Sequence, residues 1–159
     1  VKVRIGIGFD VHRLALDRKL MLGGIQVPHT KGLVGHSDGD VLLHAIVDAL
    51  LGACGMGNIG ERFPDTDVRY REIDSQVFLS DAAALIRAEG FEIGNIDSNI
   101  LAEYPRLLPY LGPMQGNIAR VLDISRDSVA VKAKTMERLG PIGNGEAIAA
   151  QAVAIVYRP

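Results

Sequence analysis

Asp10 and His12 stand two apart in the run Phe9-Asp10-Val11-His12, so on an extended strand a carboxylate and an imidazole project to the same side, where they can bind a metal. His44, on a separate segment, offers a third ligand. Three protein ligands leave the fourth position of a zinc ion open, the arrangement of catalytic rather than structural sites. On spacing alone, a turn cap at Asp10-x-His12 and a hydrogen-bonded histidine at 44 fit equally well. Asp40, His44 and Asp48 share one helix face at i, i+4 and i+8, with Asp48 reading as a solvated polar position. His36 and Ser37 immediately precede that helix, where free backbone N–H groups and the positive dipole end attract phosphate; a plain N-cap explains Ser37 equally.

Further along, Asn58-Ile59-Gly60 and Phe63-Pro64-Asp65-Thr66-Asp67 present carboxylates and a hydroxyl around a Pro turn, for which Asx-turn geometry is a sufficient explanation. Lys132 and Lys134 alternate on one strand face, followed by Thr135 and Glu137 near a turn. Lysines suit phosphates, the Thr135 hydroxyl can donate to an oxyanion, and Glu137 suits a hard cation such as Mg²⁺. These clusters sit in a 159-residue chain of net charge −2 with no basic run or aromatic platform, which argues against nucleic acid and for a small polyphosphorylated substrate. The lone Cys54, in an apolar setting, reads as a reduced, buried thiol. No apolar stretch is long enough to span a bilayer and no secretion signal opens the chain, so no membrane is expected and a cytoplasmic location is, or a plastid-type organelle if a transit peptide has been removed.

Positioning these groups falls to elements that hydrophobic periodicity makes readable. Val3, Ile5, Ile7 and Phe9 alternate with Arg4, Gly6 and Gly8, predicting a strand with small residues on one face that ends at Asp10. Leu20 to Val27, closed by Pro28, predicts a second strand, and Lys31 to Gly35 a loop. Ser37 predicts a helix start, with Val41, Leu42, Ala45, Ile46, Ala49 and Leu50 as the apolar stripe. Gly52 to Asp67 predicts a long functional loop. A second helix is predicted from about Ser75 to Glu89 with Val77, Phe78, Ala82, Leu85 and Ile86 inward, then a strand over Phe91 to Leu101 and a third helix over about Pro109 to Leu122. Strands at Val129 to Ala133 and Ala147 to Tyr157 close the chain, the last with Ile148, Ala150, Ala152, Ala154 and Val156 on one face, suited to sheet packing or to an apolar axial channel. Strands and helices mix without a strict βαβ repeat, predicting an α+β fold: one domain over residues 1–159, a sandwich of a mostly β sheet with helices on one face.

The segments Arg4 to His12, His36 to His44, Asn58 to Gly60 with Phe63 to Asp67, and Lys132-Ala133-Lys134-Thr135-Met136-Glu137 resemble, in order and spacing, those of the 2-C-methyl-D-erythritol 2,4-cyclodiphosphate synthase family, the cyclases of the non-mevalonate isoprenoid pathway. The resemblance implies a homotrimer with active sites between subunits, and Zn²⁺ held by Asp10, His12 and His44. It also implies Mg²⁺ or Mn²⁺ held by Glu137, and transition-state stabilisation by His36 and Thr135. It implies that a nucleotide-linked substrate, 4-diphosphocytidyl-2-C-methyl-D-erythritol 2-phosphate, is closed to the cyclic diphosphate with loss of CMP, formally a lyase reaction. Asp10, Val11, His12, His36, Ser37, Asn58, Ile59, Gly60, Phe63, Pro64, Asp65, Thr66 and Asp67 would contact the methylerythritol and phosphate side. Ala102, Glu103, Tyr104, Pro105, Arg106, Leu107, Leu108, Lys134, Thr135, Met136 and Glu137 would receive the cytidine end. Asn58 stands where many members carry Asp, and Lys134 where Thr is frequent. Pro141 and Asn144 stand where many carry a Phe and an Arg that holds an isoprenoid diphosphate in a central trimer cavity, which argues against that ligand here. A zinc hydrolase, or a binding module using the metal structurally, is compatible with the same residues.

Overall fold

A computed structural model describes residues 2–159; Val1 of the expected domain lies outside the described residues. The backbone is a mixed α+β body built on a five-stranded sheet in the order β4-β1-β7-β5-β6. Strand β1 (Lys2–Leu16) pairs antiparallel with β7 (Ala147–Arg158) along nearly its whole length. On the other side of β7 lies antiparallel β5 (Glu92–Leu101), and beyond it parallel β6 (Val129–Lys134). The β1 edge is covered by β4 (Lys31–Leu33) only over Leu14–Leu16.

Period-two alternation explains what covers this sheet. Gly6, Gly8 and the row Ile148, Ala150, Ala152, Ala154 and Val156, each row on one face as expected, are buried and lie beneath helix α1 (Val41–Cys54). The small residues permit unusually close packing: a Cβ on Gly8 would lie 1.8 Å from the Ala45 carbonyl oxygen, and one on Gly6 1.8 Å from that of Ala49. The final strand's small-residue face is therefore spent on sheet packing under α1 rather than on an open channel. Helix α1 is buried almost all round, Leu43, Val47 and Leu51 included, because α3 (Gln76–Ala88) packs on it from outside. The opposite side of β1 exposes Val3, Ile5, Ile7, Phe9 and Val11.

Several boundaries differ from the sequence reading. Strand β1 does not end at Asp10 but runs through Asp10 and His12, held by β7 and then β4. Leu20 to Val27 is not one strand: Gly23 and Gly24, at φ +62° and +75°, turn the chain between β2 (Leu20–Leu22) and β3 (Ile25–Val27). The supposed loop after Lys31 contains β4. Helix α1 is capped by Asp40 rather than Ser37. The stretch expected as a long loop contains the end of α1 and a short helix, α2 (Ile59–Arg62), before a 3₁₀ turn at Val68–Tyr70. On α3 Val77 faces solvent, and Leu79 and Ala83 complete the buried stripe. Helix α4 (Leu108–Leu122) forms despite Pro113, and a last helical turn, α5 (Gly140–Gly143), precedes β7.

Candidate active site

Asp10 and His12 continue the row of Gly6 and Gly8 on the α1 side of β1, so the helix that covers the glycines brings His44, in its first turn, over them. Asp10 Oδ2 lies 2.8 Å from His12 Nε2 and 3.0 Å from His44 Nδ1, and the two ring nitrogens are 3.3 Å apart. Ligands at about 2.0–2.1 Å from a tetrahedral zinc ion stand about 3.3 Å from one another, so the cluster fits such an ion with a small expansion. Among the described residues this is the one group of three or more His, Cys, Asp or Glu with ligand atoms close enough to share a metal.

The outer contacts orient the ligands. His12 Nδ1–H donates to the Val34 carbonyl (2.6 Å), which directs Nε2 at Asp10. Burial pushes the Asp10 carboxyl up, but hydrogen bonds and charge from His12 and His44 outweigh it and hold the group far below the usual carboxylate range. Burial pushes His12 down, yet Asp10 prevails and leaves its pKa raised. Without a metal, protonation of His12 Nε2 is favoured by this contact with the carboxylate.

The cluster opens into a cavity of about 320 Å³ lined also by His36, Ser37, Ile59, Gly60, Phe63, Asp65, Tyr70 and Phe78. Phe63, Tyr70 and Phe78 pack with ring centroids 4.9–5.7 Å apart and make an apolar wall beside His44. His36 Nε2–H donates to the Asp67 carbonyl (3.1 Å). Asp48 is half-buried rather than solvated: it accepts the Ile59 N–H (2.7 Å) and holds α2 at the rim. Asp40 is fully buried and accepts from Gly23, Gly24 and Leu43, tying the β2–β3 turn to the start of α1. Burial and the neighbouring Asp38 push its carboxyl up to about 6 against the Gly24 and Leu43 N–H groups, and its three contacts make it a structural clamp.

The other named residues divide. Val11 is exposed on the far side of the sheet, and Asn58, Pro64, Thr66 and Asp67 flank the cavity without lining it. Asn58 caps α2 through the Glu61 N–H, and Asp67 caps the 3₁₀ turn and pairs with Arg69 (2.6 Å). Ala102, Glu103, Pro105, Arg106, Leu107, Leu108, Lys134 and Thr135, with Ala133, line a separate cavity of about 200 Å³. Tyr104, Met136 and Glu137 stand outside that lining, although the Met136 N–H donates to Glu103 (3.2 Å). Glu137 is exposed on a left-handed turn at φ +52°, its N–H donating to Thr135 Oγ1 (3.3 Å). Lys132 is paired with Asp97. Sequence reasoning missed Tyr70 and Phe78 as cavity wall; Phe78, on the buried stripe of α3, was legible only as core.

Known proteins share this fold. A curated relative from Thermosynechococcus vestitus, named 2-C-methyl-D-erythritol 2,4-cyclodiphosphate synthase, is 53% identical over 156 residues, covering 98% of this chain and 97% of that protein. A bifunctional enzyme IspD/IspF of Albidiferax ferrireducens is 54% identical over 155 residues; there the match covers 98% of this chain but only 37% of the longer protein. A solved structure of IspF from Plasmodium falciparum in complex with CDP superposes with a TM-score of 0.87 at 36% identity, over 98% of this chain and 96% of that one. The YgbB family model matches residues 3–157, from the exposed edge of β1 to the end of β7. With the ligand cluster, its cavity and the sheet that carries them all inside that match, the chain belongs to the YgbB family.

Proposed function

We propose that this chain, residues 1–159 as one domain, converts 4-diphosphocytidyl-2-C-methyl-D-erythritol 2-phosphate to 2-C-methyl-D-erythritol 2,4-cyclodiphosphate and CMP. The observation that carries the reading is the Asp10–His12–His44 cluster, compact enough for one divalent ion and open to a cavity with an apolar wall. An oxygen of the substrate's own 2-phosphate attacks the β-phosphorus, the bond from that phosphorus to the bridging oxygen breaks, and CMP leaves with the bridging oxygen. Formally this is a phosphorus–oxygen lyase. Such a reaction needs positioning and charge neutralisation rather than a protein nucleophile.

Zinc held by Asp10, His12 and His44 would supply Lewis acidity and a template at the phosphate, and Mg²⁺ or Mn²⁺ at Glu137 would neutralise the diphosphate. The chain's own groups do the rest. His36, anchored through Asp67, and the Thr135 hydroxyl stabilise the oxygens on which charge develops. Ile59, Gly60, Phe63 and Asp65 enclose the methylerythritol carbons and hydroxyls, while Ala102 to Leu108 and Lys134 to Glu137 receive the cytidine and its phosphates.

The two halves of this site lie in separate cavities of one chain. That separation, with the exposed apolar strip Val3, Ile5, Ile7, Phe9 and Val11, supports assembly as a homotrimer in which each active site forms between neighbours. A phosphorus NMR time course with the cytidyl substrate, Mg²⁺ and zinc-replete protein tests the reaction. Two coupled resonances of a cyclic diphosphate appearing with CMP are expected; an open-chain monophosphate would point to hydrolysis and overturn the reading.

A further inference from the structure

His44 Nε2 lies 2.9 Å from Ser75 Oγ and 3.1 Å from Ser37 Oγ. Both serines are buried, so the direction of each hydroxyl proton is fixed by protein partners rather than water. Ser75 Oγ also hydrogen-bonds Asp38 Oδ1, and Asp38 Oδ2 accepts the Ser75 N–H at 3.0 Å. A carboxylate only accepts, and a serine hydroxyl has one proton to give. That proton goes to Asp38, and Ser75 Oγ is left to accept from His44 Nε2–H. Ser37 imposes no such direction: its oxygen takes a long contact from the Gly39 N–H (3.4 Å) and lies 3.3 Å from Ser75 Oγ, with no acceptor-only partner. Asp38 cannot swing away, because its Oδ1 also accepts the Asp40 N–H (3.0 Å) and its own N–H donates to the Ile73 carbonyl (3.0 Å).

We propose that Ser75, oriented by Asp38, is a positioning residue that accepts the His44 Nε2–H and so leaves Nδ1 to ligate once a metal replaces the His44 Nδ1–Asp10 Oδ2 hydrogen bond. Its role rests on the reading of His44 as a metal ligand. The relay runs from the loop before α1, through the first residue ahead of α3, to a ligand on α1, so it also makes the docking of α3 part of the metal site. Removing a ligand histidine's outer hydrogen-bond partner weakens metal binding by about 10- to 100-fold.

The test compares Ser75→Ala with Ser37→Ala. In zinc-loaded protein, long-range proton–nitrogen NMR of the rings reports which His44 nitrogen carries the proton and how fast that proton exchanges with solvent. Competition with a chromophoric chelator reports the zinc dissociation constant, and thermal melting checks the fold. Wild-type and Ser37→Ala proteins are expected to hold a slowly exchanging proton on His44 Nε2. Ser75→Ala is expected to speed that exchange and to raise the zinc dissociation constant about 10- to 100-fold, with a cooperative melt retained. Ser75→Thr, which keeps the hydroxyl, restores both. Unchanged exchange and affinity in Ser75→Ala, or the loss appearing in Ser37→Ala instead, overturns the assignment. A wild-type protein that binds no zinc would overturn the metal reading on which the role depends, leaving the Ser75-to-Asp38 hydrogen bond intact.

Discussion

Replacing Gly8 by Ala should damage the metal site without touching a ligand. The added Cβ would lie 1.8 Å from the Ala45 carbonyl oxygen, 2.8 Å from its carbon and 2.9 Å from the Ala49 nitrogen. All three obstacles are backbone atoms of α1, so no side-chain rotation relieves them; strand and helix must part by about 1.6 Å to reach ordinary contact. Overpacking costs about 1–3 kcal/mol. With a rigid obstacle the upper half of that range applies, and about 2 kcal/mol lowers the melting temperature of a domain of this size by about 4–8 °C. His44 is adjacent to Ala45 on the displaced helix, while Asp10 and His12 stay on β1, and metal–ligand distances tolerate only about 0.2 Å. Zinc affinity should therefore fall by at least about 100-fold, more than loss of an outer hydrogen-bond partner causes. Gly52→Ala is the matched control: on the same helix its Cβ meets nothing nearer than the Ile7 carbonyl oxygen at 3.8 Å, and better helix propensity should stabilise it by up to about 1 kcal/mol. Differential scanning calorimetry and chelator competition on both variants decide the matter. A Gly8→Ala protein that melts with wild type and keeps its zinc affinity would mean that the close strand–helix approach does not position His44.

Zinc uptake should depend on pH through His12. Its pKa is raised above the ordinary 6.5, so the proton on His12 stabilises the metal-free fold at low pH and this stabilisation is lost as pH rises through the raised value. Zinc must displace that proton, so affinity should climb with pH across the same window; calorimetry in buffers of different ionisation enthalpy should find proton release on binding, and a pH-independent affinity between 5 and 8 would contradict it. Ile7→Glu places a charge at the centre of the exposed strip on a side chain 73% accessible. Sedimentation should find monomers with wild-type melting and zinc affinity, since all three ligands come from one chain, but no turnover; intact trimers would show that this face is not the contact.

The Asp10–His12 pair was legible because period two is a local property: Asp10 and His12 share a face whatever the strand pairs with, whereas the helix that packs on the alternating glycines was not. The end of the strand was not legible, because only pairing with β7 and β4 carries β1 past Asp10 to Leu16. Ser37 and Asp40 are equally good caps by type. The choice falls to Asp40 because Gly23 and Gly24, far away in sequence, bring it two further N–H groups. Ser75 shows the same limit from the functional side: by type it is a helix start, and only the fold sets Asp38 and His44 on either side of its hydroxyl.

The sheet register also bears on the proposal that one chain supplies two halves of a shared site. Asp10 pairs with Ala150, Ala150 with Ile100 and Ile100 with Ala133, a row of three inter-strand steps that puts the end of β6 about 14 Å from the metal position. Residues in register point to the same side, so Lys134, aligned through Leu101 and Ala149 with Val11, projects to the face opposite Asp10 and His12. A diphosphate anchored at the His12 side cannot reach the Lys134 side of the same sheet without passing around its edge. A neighbour docked on the exposed face of β1 can bring its own Lys134, Thr135 and Glu137 to that edge, because the β1 edge is where Asp10, His12 and the cavity mouth lie. The same alternation that buries Gly6 and Gly8 beneath α1 thus leaves Val3, Ile5, Ile7, Phe9 and Val11 exposed on the other side, and one strand would serve both the proposed metal ligation and the proposed subunit contact.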